Sequence, residues 1–233
     1  MDAGFTISMQ DVTLEKLHLD VMPNATKKAF VKCMEFSWLR DSRWYLAGGT
    51  ALALQVGHRV SVDLDFFTEE QDFSVEEIER LLLASGDWTT TLIEQGTLYG
   101  LFEGAKVSFI AYPFFRPSAS GLRCGSVTIL SPEDIAAMKI VAVSQRGKKR
   151  DFVDLYWLAQ HRLTLEEALR SAVLCYPEQH HSLPHFLKSL VYFTDAENDP
   201  MPHTLFSIDW KTVKLFFQKE IPLLAEKMLH LKS

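Results

Sequence analysis

The sequence predicts an α/β (α+β) protein in which a lobe with a small mixed sheet is followed by a C-terminal helical lobe. In the first part, short apolar runs such as Trp44–Ala47 alternate with helical segments, and the stretch from Trp88 to Phe115 is rich in Thr, Val, Phe and Tyr. After Ser131-Pro132 almost every segment has helical periodicity. We therefore predict an α/β lobe over residues 1–130 and a helical lobe over residues 131–233.

Alternation and capping signals place the elements of the first lobe. The expected elements are helices over Ala25–Arg40, Ala51–Val56 and Ser74–Ala84, strands over Trp44–Ala47 and Ser61–Phe67, and two or three antiparallel strands over Trp88–Phe115. Thr50 is the expected cap of the second helix, and Ser74 forms a capping box with Glu77. Turns in the antiparallel region are expected at three glycines, Gly96, Gly100 and Gly104.

The second lobe opens with a helix-start signal. Ser131 can cap a helix, Pro132 fits its first position, and Asp134 completes a second capping box. Five helices are expected, over Asp134–Ser144, Lys149–Gln160, Thr164–Cys175, Leu183–Phe193 and Asp209–Leu231.

Composition and charge indicate a soluble globular protein. Of its 233 residues, 47% are hydrophobic and 23% are charged, and the net charge is −6. A protein this acidic can bind nucleic acid only through a local basic patch. The amino-terminal segment lacks the basic and apolar regions of a signal peptide, and no apolar run approaches the roughly 18 residues of a membrane span. We therefore expect a cytoplasmic protein that does not contact membranes.

The cysteines and histidines suggest neither a disulfide framework nor a zinc site. The three cysteines are far apart and form no CxxC motif, which favours reduced thiols in the cytosol. The cluster of Cys175, His180, His181 and His185 matches no closed zinc pattern, so solvated or capping histidines are expected there.

Asp63 and Asp65 form the most informative motif in the first lobe. Side chains alternate along a strand, so Val62, Leu64 and Phe66 should point into the core, while Ser61 and the two aspartates share the other face. Two carboxylates this close repel each other unless a cation or a proton lies between them. Hard oxygen ligands of this kind suit Mg²⁺ or Mn²⁺. The alternative is the solvated outer face of an edge strand.

Gly48-Gly49-Thr50 lies upstream of the aspartates, at a strand-to-helix junction. Glycines there let a phosphate approach the backbone, and the amides of the next helix favour an anion. The alternative is an ordinary tight turn. One short helix separates this turn from the acidic strand, which would place a phosphate site and a metal site at the same end of adjacent elements.

These motifs resemble a known family. The stretch LAGGTALALQVGHRVSVDLDFF (Leu46–Phe67) is similar to the nucleotidyltransferase superfamily of DNA polymerase beta type, and within it to the AbiEii/AbiGii toxin family. The similarity extends to SPEDIAAMKIVAVSQRGKKRDFVDLYWL (Ser131–Leu158).

The resemblance implies a metal-dependent enzyme that transfers a nucleoside monophosphate from a nucleoside triphosphate to an acceptor, which is tRNA in some relatives. It implies the toxin of a toxin–antitoxin or abortive-infection system, with a cognate antitoxin. Asp63 and Asp65 would hold the metal. The nucleotide would be contacted by Gly48, Gly49, Thr50, Arg59 and Ser61.

Lys139 is the only charged residue between Ile135 and Val143. Its neighbours on the helix face are apolar, so it either reaches the surface along its own aliphatic chain or points at an anion. With a metal–phosphate site expected in the protein, neutralisation of triphosphate charge is the better interpretation.

Asp151 and Asp154 share a helix face, and both belong to the second family-like stretch. They could complement the helix dipole and pair with Lys148, Lys149 or Arg150. By resemblance, Asp151 acts as a base or positions the acceptor or nucleotide, and Asp154 orients the helix through His58 or Arg59. His58 could instead simply terminate its helix. On this interpretation the helical lobe completes the active-site cleft.

Two further features leave alternatives open. Arg146, Lys148, Lys149 and Arg150 form the densest basic run, which is either a solvated loop or a contact for RNA or triphosphate. The superfamily often supplies a third carboxylate from a later strand, where this chain has Ser108. Either Glu94 or Glu103 replaces it, or two acids and Asp151 suffice. Otherwise the protein is a nucleotide-binding or interaction module with weak or lost catalysis.

Overall fold

The computed structural model describes residues 9–117, 121–177 and 183–229, and it divides the chain into two compact units, Met1–Ser131 and Pro132–Ser233. His180, His181 and the carboxyl end of the last expected helix, Leu231, lie outside the described residues. Each unit has its own secondary structure and its own buried core.

The first unit contains a mixed sheet with helices. Its strands are β1 (Met9–Asp11), β2 (Tyr45–Ala47), β3 (Leu64–Thr68), β4 (Trp88–Glu94), β5 (Thr97–Phe102), β6 (Ala105–Ala111), β7 (Gly121–Cys124) and β8 (Val127–Ile129). Its α-helices are α1 (Asn24–Cys33), α2 (Ser37–Arg40), α3 (Gly48–Val56) and α4 (Val75–Ser85). Within the described residues the sheet has eight strands in the order β1-β7-β8-β2-β3-β6-β5-β4, which makes β3 a central strand.

The sheet is larger than the sequence predicts, because three short strands escape sequence patterns. β1, β7 and β8 have only three or four residues each, too few to show a period of two. β1 pairs in parallel with β7 through Met9 and Gly121, which lie more than a hundred positions apart in the chain. Pairing of this kind depends on tertiary structure, and local propensity does not reveal it.

The core of the first unit lies against the buried face of β3. Leu64 and Phe66 are buried, as expected, and the Phe66 ring stacks on Phe109 with centroids 5.1 Å apart. The expected burial of Val62 is wrong: it is 48% exposed, because β3 begins only at Leu64 and the alternation does not reach back to it. The Val62 carbonyl instead accepts a hydrogen bond from the Thr26 hydroxyl at 2.8 Å.

Three other local expectations are wrong. The helix expected over Ala25–Arg40 is divided into α1 and α2, because the buried Phe36 adopts an extended conformation between them. Thr50 is not a helix cap, since α3 already begins at Gly48 with Ala47 as its N-cap. Gly100 lies inside β5 and not in a turn.

The second unit is helical within its described residues. Its helices are α5 (Pro132–Arg146), α6 (Lys149–His161), α7 (Leu165–Cys175), α8 (Leu183–Ser189), α9 (Thr194–Glu197) and α10 (Trp210–Met228). The start at Pro132 agrees with the sequence signal, whereas the helix expected to reach Phe193 ends at Ser189, before α9. Phe152 packs its ring against Phe193 and Phe217 in the core. No helix in the described part of the chain combines the length and apolar character required to cross a membrane.

The Gly100→Ala substitution tests the packing at the edge of the sheet. A Cβ atom at this position would lie 2.3 Å from the Trp88 ring, so we expect the free energy of unfolding to fall. Overpacking of this kind costs about 1–3 kcal/mol in urea or thermal unfolding. Leu101→Ala on the same strand is the control, because Leu101 is 38% exposed and its truncation creates little buried space. Equal stability of Gly100→Ala and wild type would contradict the close packing.

Candidate functional site

Both carboxylates of the acidic motif line one cavity of the first unit. Asp65 lies within β3 on the side opposite Leu64 and Phe66, and Asp63, which directly precedes β3, lines the same cavity. The cavity has a volume of about 500 Å³. Its other lining residues come from β4, β5 and β6 and are Thr91, Leu92, Glu94, Tyr99, Gly100, Leu101, Lys106, Val107 and Ser108.

Asp65 is held by its neighbours in the sheet. The parallel register of β3 and β6 places Ser108 beside it, and the Ser108 hydroxyl donates a hydrogen bond to Oδ1 at 2.5 Å. On the other side, a Cβ atom at Gly48 would lie 3.5 Å from Oδ2 of Asp65. Gly48 also has φ +74°, a conformation that other residues adopt only with strain. The glycine turn and the carboxylate are therefore direct neighbours.

Asp63 carries a buried oxygen that the described residues leave unsatisfied. Its Oδ1 atom is inaccessible to solvent and has no hydrogen-bond partner among them. Burial of a carboxylate oxygen without a partner is costly, so an atom of this kind beside a cavity suits a site for a cation. The donor set fits a hard divalent cation.

The two carboxylates alone cannot complete a metal site. Among the described residues no group of three or more His, Cys, Asp or Glu side chains could hold a metal ion. Mg²⁺ is commonly bound by one or two carboxylates together with water and substrate phosphates. The pair therefore fits a cation that shares its ligands with a phosphate-bearing substrate.

The amino terminus of α3 brings several of the expected nucleotide-binding residues together. A Cβ atom at Gly49 would lie 2.2 Å from Nη2 of Arg59 and 3.2 Å from Oγ of Ser61, so both side chains approach the glycine closely. The Arg59 guanidinium is buried and donates a hydrogen bond from Nη1 to the Val60 carbonyl at 3.0 Å. A guanidinium beside the positive end of a helix dipole favours an anion at this position.

Thr50 and His58 have roles that the sequence did not predict. The buried Thr50 hydroxyl lies 2.8 Å from the Ser61 hydroxyl and donates a hydrogen bond to the main-chain carbonyl of Asp63, which ties α3 to the acidic segment. His58 is buried but does not terminate its helix, because Gly57 is the C-cap of α3. Thr50 therefore positions Asp63 through the backbone.

In the second unit, Lys139 is shared between two carboxylates. Its side chain is 5% exposed, and Nζ lies 2.6 Å from Oδ1 of Asp151 and 2.7 Å from Oδ2 of Asp154. The alternative in which Lys139 extends to the surface is therefore wrong, and so is the alternative in which Asp151 pairs with Lys148, Lys149 or Arg150. Asp151 instead binds Lys139 and accepts a hydrogen bond from Nε of Arg146 at 3.1 Å.

The charges around Asp151 determine its proton affinity. Burial acts to raise the pKa of Asp151, but the attraction of Lys139 and Arg146 outweighs it and holds the pKa below its ordinary value. A carboxylate with a depressed pKa is a weak proton acceptor at neutral pH. The geometry therefore supports a positioning role for Asp151 better than the role of general base.

The basic run separates into residues with different environments. Lys149 is buried, and its ammonium donates to the carbonyls of Glu197 at 3.2 Å and Asp199 at 2.6 Å, which suits a structural role better than RNA binding. Lys148 is about half exposed and pairs with Asp199 at 3.3 Å. Arg150 is exposed, as is about half of the Arg146 side chain.

The two candidates for a third carboxylate differ in their surroundings. Glu103 forms ion pairs with Lys28 and Lys32, and these hydrogen-bonded cations lower the pKa of Glu103 to about 2. Glu94 lines the same cavity as Asp63 and Asp65. The structure therefore favours Glu94 as the additional acid of the cavity.

Tyr99 is a cavity residue that sequence reasoning missed. Burial raises the pKa of Tyr99, and the negative charges of the nearby Glu94 and Asp65 carboxylates raise it further. No pattern within Thr97–Phe102 marks Tyr99, and only the pairing of β5 with β6 reveals which face of β5 joins the acidic residues.

Comparison with known proteins gives consistent results. The family model "Nucleotidyl transferase AbiEii toxin, Type IV TA system" matches residues 39–95 and 115–228. An uncharacterized protein from Aquifex aeolicus (strain VF5) is 37% identical over 188 residues, which cover 76% of this chain and 86% of the relative.

Two solved structures have a similar fold. MenT4, a nucleotidyltransferase toxin from Mycobacterium tuberculosis H37Rv, superposes with a TM-score of 0.54 at 14% identity, over 88% of this chain and 86% of MenT4. A provisionally named nucleotidyltransferase from H. pylori gives a TM-score of 0.51 at 19% identity, over 89% and 96% of the two chains. At these identities the likeness establishes the fold alone.

The Lys139→Met substitution tests the buried ion pairs of the second unit. It leaves Asp151 and Asp154 buried without their shared cation, so the free energy of unfolding should fall by about 3–5 kcal/mol at pH 7. The native pKa of Asp151 is depressed, so its stabilising contribution is present at neutral pH and is lost as the pH falls through that value. The deficit of the variant should therefore stay near its full size from pH 7 to about pH 5 and shrink as the pH falls below about 4.

Lys148→Met is the matched control, because the exposed pair of Lys148 with Asp199 contributes at most about 1 kcal/mol. Urea unfolding of both variants across the pH range gives the comparison. A Lys139→Met deficit that stays constant with pH would show that Lys139 does not control the ionisation of the two carboxylates.

Proposed function

This chain belongs to the AbiEii nucleotidyl transferase toxin family, and on that premise we propose that it transfers a nucleoside monophosphate from a nucleoside triphosphate to an RNA hydroxyl. The observation that carries the proposal is the buried, unpartnered Oδ1 of Asp63 beside the carboxylate of Asp65, next to a glycine turn at a helix amino terminus. The reaction is the toxic activity, a cognate antitoxin counteracts it, and both act in the cytoplasm, where NTPs and RNA occur together.

Asp63 and Asp65 are the proposed ligands of a divalent cation, Mg²⁺ or Mn²⁺. Bound there, the cation would neutralise charge on the triphosphate and stabilise both the nucleophile and the leaving pyrophosphate. Ser108 fixes the orientation of Asp65 through its hydrogen bond, and Thr50 fixes the backbone of Asp63. Both carboxylates are therefore set in place before substrate binds.

The amino terminus of α3 is the proposed site of the triphosphate. Gly48 and Gly49 bear no side chains that would shield the first-turn amides, which can donate hydrogen bonds to phosphate oxygens. Arg59 and Ser61 add a guanidinium and a hydroxyl close to Gly49. Their contribution is binding and orientation of the nucleotide.

Lys139, Asp151 and Asp154 are proposed to support the same reaction from the second unit. The ion pairs fix Lys139 at one end of α6, and the low pKa of Asp151 keeps this network charged at neutral pH. The residues of the basic run that remain exposed or half exposed, namely Arg146, Lys148 and Arg150, are the proposed contacts for the RNA backbone.

A second candidate function is nucleotide binding with little turnover. Ser108 stands where the superfamily often has an acid, and its hydroxyl donates a hydrogen bond to Oδ1 of Asp65. Transfer and binding must therefore be measured separately. The decisive assay incubates the protein with labelled NTPs, Mg²⁺ and total RNA, while a thermal-shift titration of NTP with Mg²⁺ reports binding.

Asp63→Asn and Asp65→Asn should each lower the rate of transfer by about 100-fold or more, because they remove a charge that stabilises the transition state. The shift of Tm caused by NTP with Mg²⁺ should also be lost. Without ligand, Asp63→Asn should not lower the free energy of unfolding, because it removes the negative charge of a carboxylate whose Oδ1 atom is buried without a hydrogen-bond partner among the described residues.

Asp41→Asn is the matched control, an exposed acid of the same unit outside the cavity. A Tm shift with NTP and Mg²⁺ but no labelled RNA would identify the chain as a binding module. Full transfer activity of Asp63→Asn would refute the metal assignment.

A further inference from the structure

The start of α6 departs from the usual chemistry of a helix amino terminus. Lys148 is the N-cap residue, and its side chain makes no capping hydrogen bond. Lys149 and Arg150 follow it, so three cations lie beside the positive end of the helix dipole. Acidic or short polar side chains are the residues that normally stabilise this end. A helix that starts in this way needs a stabilising partner from elsewhere in the fold.

Asp199, which lies 50 positions after Lys149 in the chain, supplies the missing cap. Its Oδ2 atom accepts a hydrogen bond from the main-chain amide of Lys149 at 3.0 Å, and its Oδ1 atom accepts one from the Lys148 ammonium at 3.3 Å. Burial acts to raise the pKa of Asp199, but these donors outweigh it and hold the pKa below its ordinary value. Asp199 therefore stays charged at neutral pH and caps a helix to which it does not belong.

The segment that carries Asp199 is held in place by the same helix start. The buried Lys149 ammonium donates hydrogen bonds to the carbonyls of Glu197 at 3.2 Å and Asp199 at 2.6 Å. It also lies 5.1 Å from the centre of the Trp210 ring, and the Trp210 indole donates a hydrogen bond to Oε2 of Glu197 at 3.2 Å. The amino terminus of α6 is thus joined to the end of α9 and to the start of α10.

The first turn of α6 also contains Asp151. The main-chain amide of Asp151 donates a hydrogen bond to the Lys148 carbonyl at 2.9 Å, so its position depends on that of the helix start. Its buried carboxylate accepts hydrogen bonds from Nζ of Lys139 at 2.6 Å and from Nε of Arg146 at 3.1 Å. A displacement of the first turn therefore changes the distances from Asp151 to both cations.

We propose that Asp199 is a positioning residue for the transfer reaction, because it caps α6 from outside the helix and so fixes the first turn in which Asp151 holds Lys139. This role rests on the proposed function, in which Lys139 supports the reaction. Asp199 acts through the backbone of α6 and not through contact with the nucleotide. Helix ends fray when their amides have no partner, so loss of Asp199 should loosen the first turn and with it the ion pairs of Asp151.

The test compares two aspartates that cap helices of the same unit. Asp209 is the N-cap of α10, and its side chain accepts a hydrogen bond from the main-chain amide of Thr212 at 2.7 Å. Asp199→Ala and Asp209→Ala therefore remove the same kind of contact, but only the first removes it from the helix that carries Asp151. Asp199→Asn is the third variant, because asparagine keeps a capping oxygen and removes the charge.

Carbon-13 NMR of the aspartate carboxyl groups measures the pKa of Asp151 in the folded chain without substrate. The charged groups that act on this carboxylate are Lys139, Arg146 and Asp154. In Asp199→Ala the pKa of Asp151 should rise toward its ordinary value, because the two cations that lower it move away. The loss of the negative charge at position 199 would by itself lower this pKa, so a rise reports a change of geometry.

The other two variants are the controls. Neither Asp209→Ala nor Asp199→Asn should raise the pKa of Asp151, although both alanine variants should lower Tm by roughly 2–4 °C because each loses a cap. In the transfer assay, at a temperature where all variants are folded, Asp199→Ala should lower kcat about tenfold or more and change KM for RNA little. Asp199→Asn should restore most of the rate, and Asp209→Ala should equal the wild type.

An Asp151 pKa that does not rise in Asp199→Ala would overturn the positioning role and leave Asp199 as a cap that only stabilises the fold. An equal rise in Asp209→Ala would also overturn it, since general loosening of the unit would then explain both results. If Asp199→Ala does not fold, Asp199→Glu takes its place, because the longer side chain displaces the cap and keeps the charge. If the wild type transfers no label but the pKa rises in Asp199→Ala alone, the cap positions Asp151 and the proposed catalytic function fails.

Discussion

The site depends on one electrostatic constraint. Asp63 and Asp65, two residues apart in sequence, must lie on the same side of the sheet although their negative charges repel each other. The alternation of β3 buries Leu64 and Phe66 and turns Asp65 the other way, and Asp63, which directly precedes the strand, lines the same cavity. Core packing thus sets the side on which Asp65 lies. Ser108 then neutralises part of the repulsion by donating a hydrogen bond to Asp65, while one oxygen of Asp63 stays available for a cation.

Two pairs of aspartates, one in each unit, have different electrostatic surroundings. In the second unit, Asp151 and Asp154 share the ammonium of Lys139, so their charges are compensated internally. In the first unit, Asp63 has no such partner among the described residues. Ion pairs of this kind fix the helices that carry them, whereas a buried carboxylate oxygen without a partner fits a site for a cation.

The sequence predicted those features that depend on interactions between residues close together in the chain. The alternation in β3, the Ser74 cap and the start of α5 at Pro132 all follow from periods and capping chemistry. It did not predict contacts between residues far apart in the chain. Lys149 belongs to a basic run, but its ammonium is buried against carbonyls about fifty positions away. Thr50 is a residue type that often caps helices, but its hydroxyl donates a hydrogen bond to the Asp63 carbonyl. Neither partner can be inferred from spacing along the chain.

Ser108 also limits the negative charge at the centre of the acidic cavity. A third carboxylate at that position would lie directly beside Asp65 and would demand a further cation or a proton. A hydroxyl instead orients Asp65 without adding charge, and the next acid, Glu94, lies two strands away on β4. Negative charge is thereby spread along the cavity, and Tyr99 and Leu92 occupy the space between. This distribution leaves an apolar surface beside the acidic pair, which a clustered triad of carboxylates at the centre of the sheet would not provide.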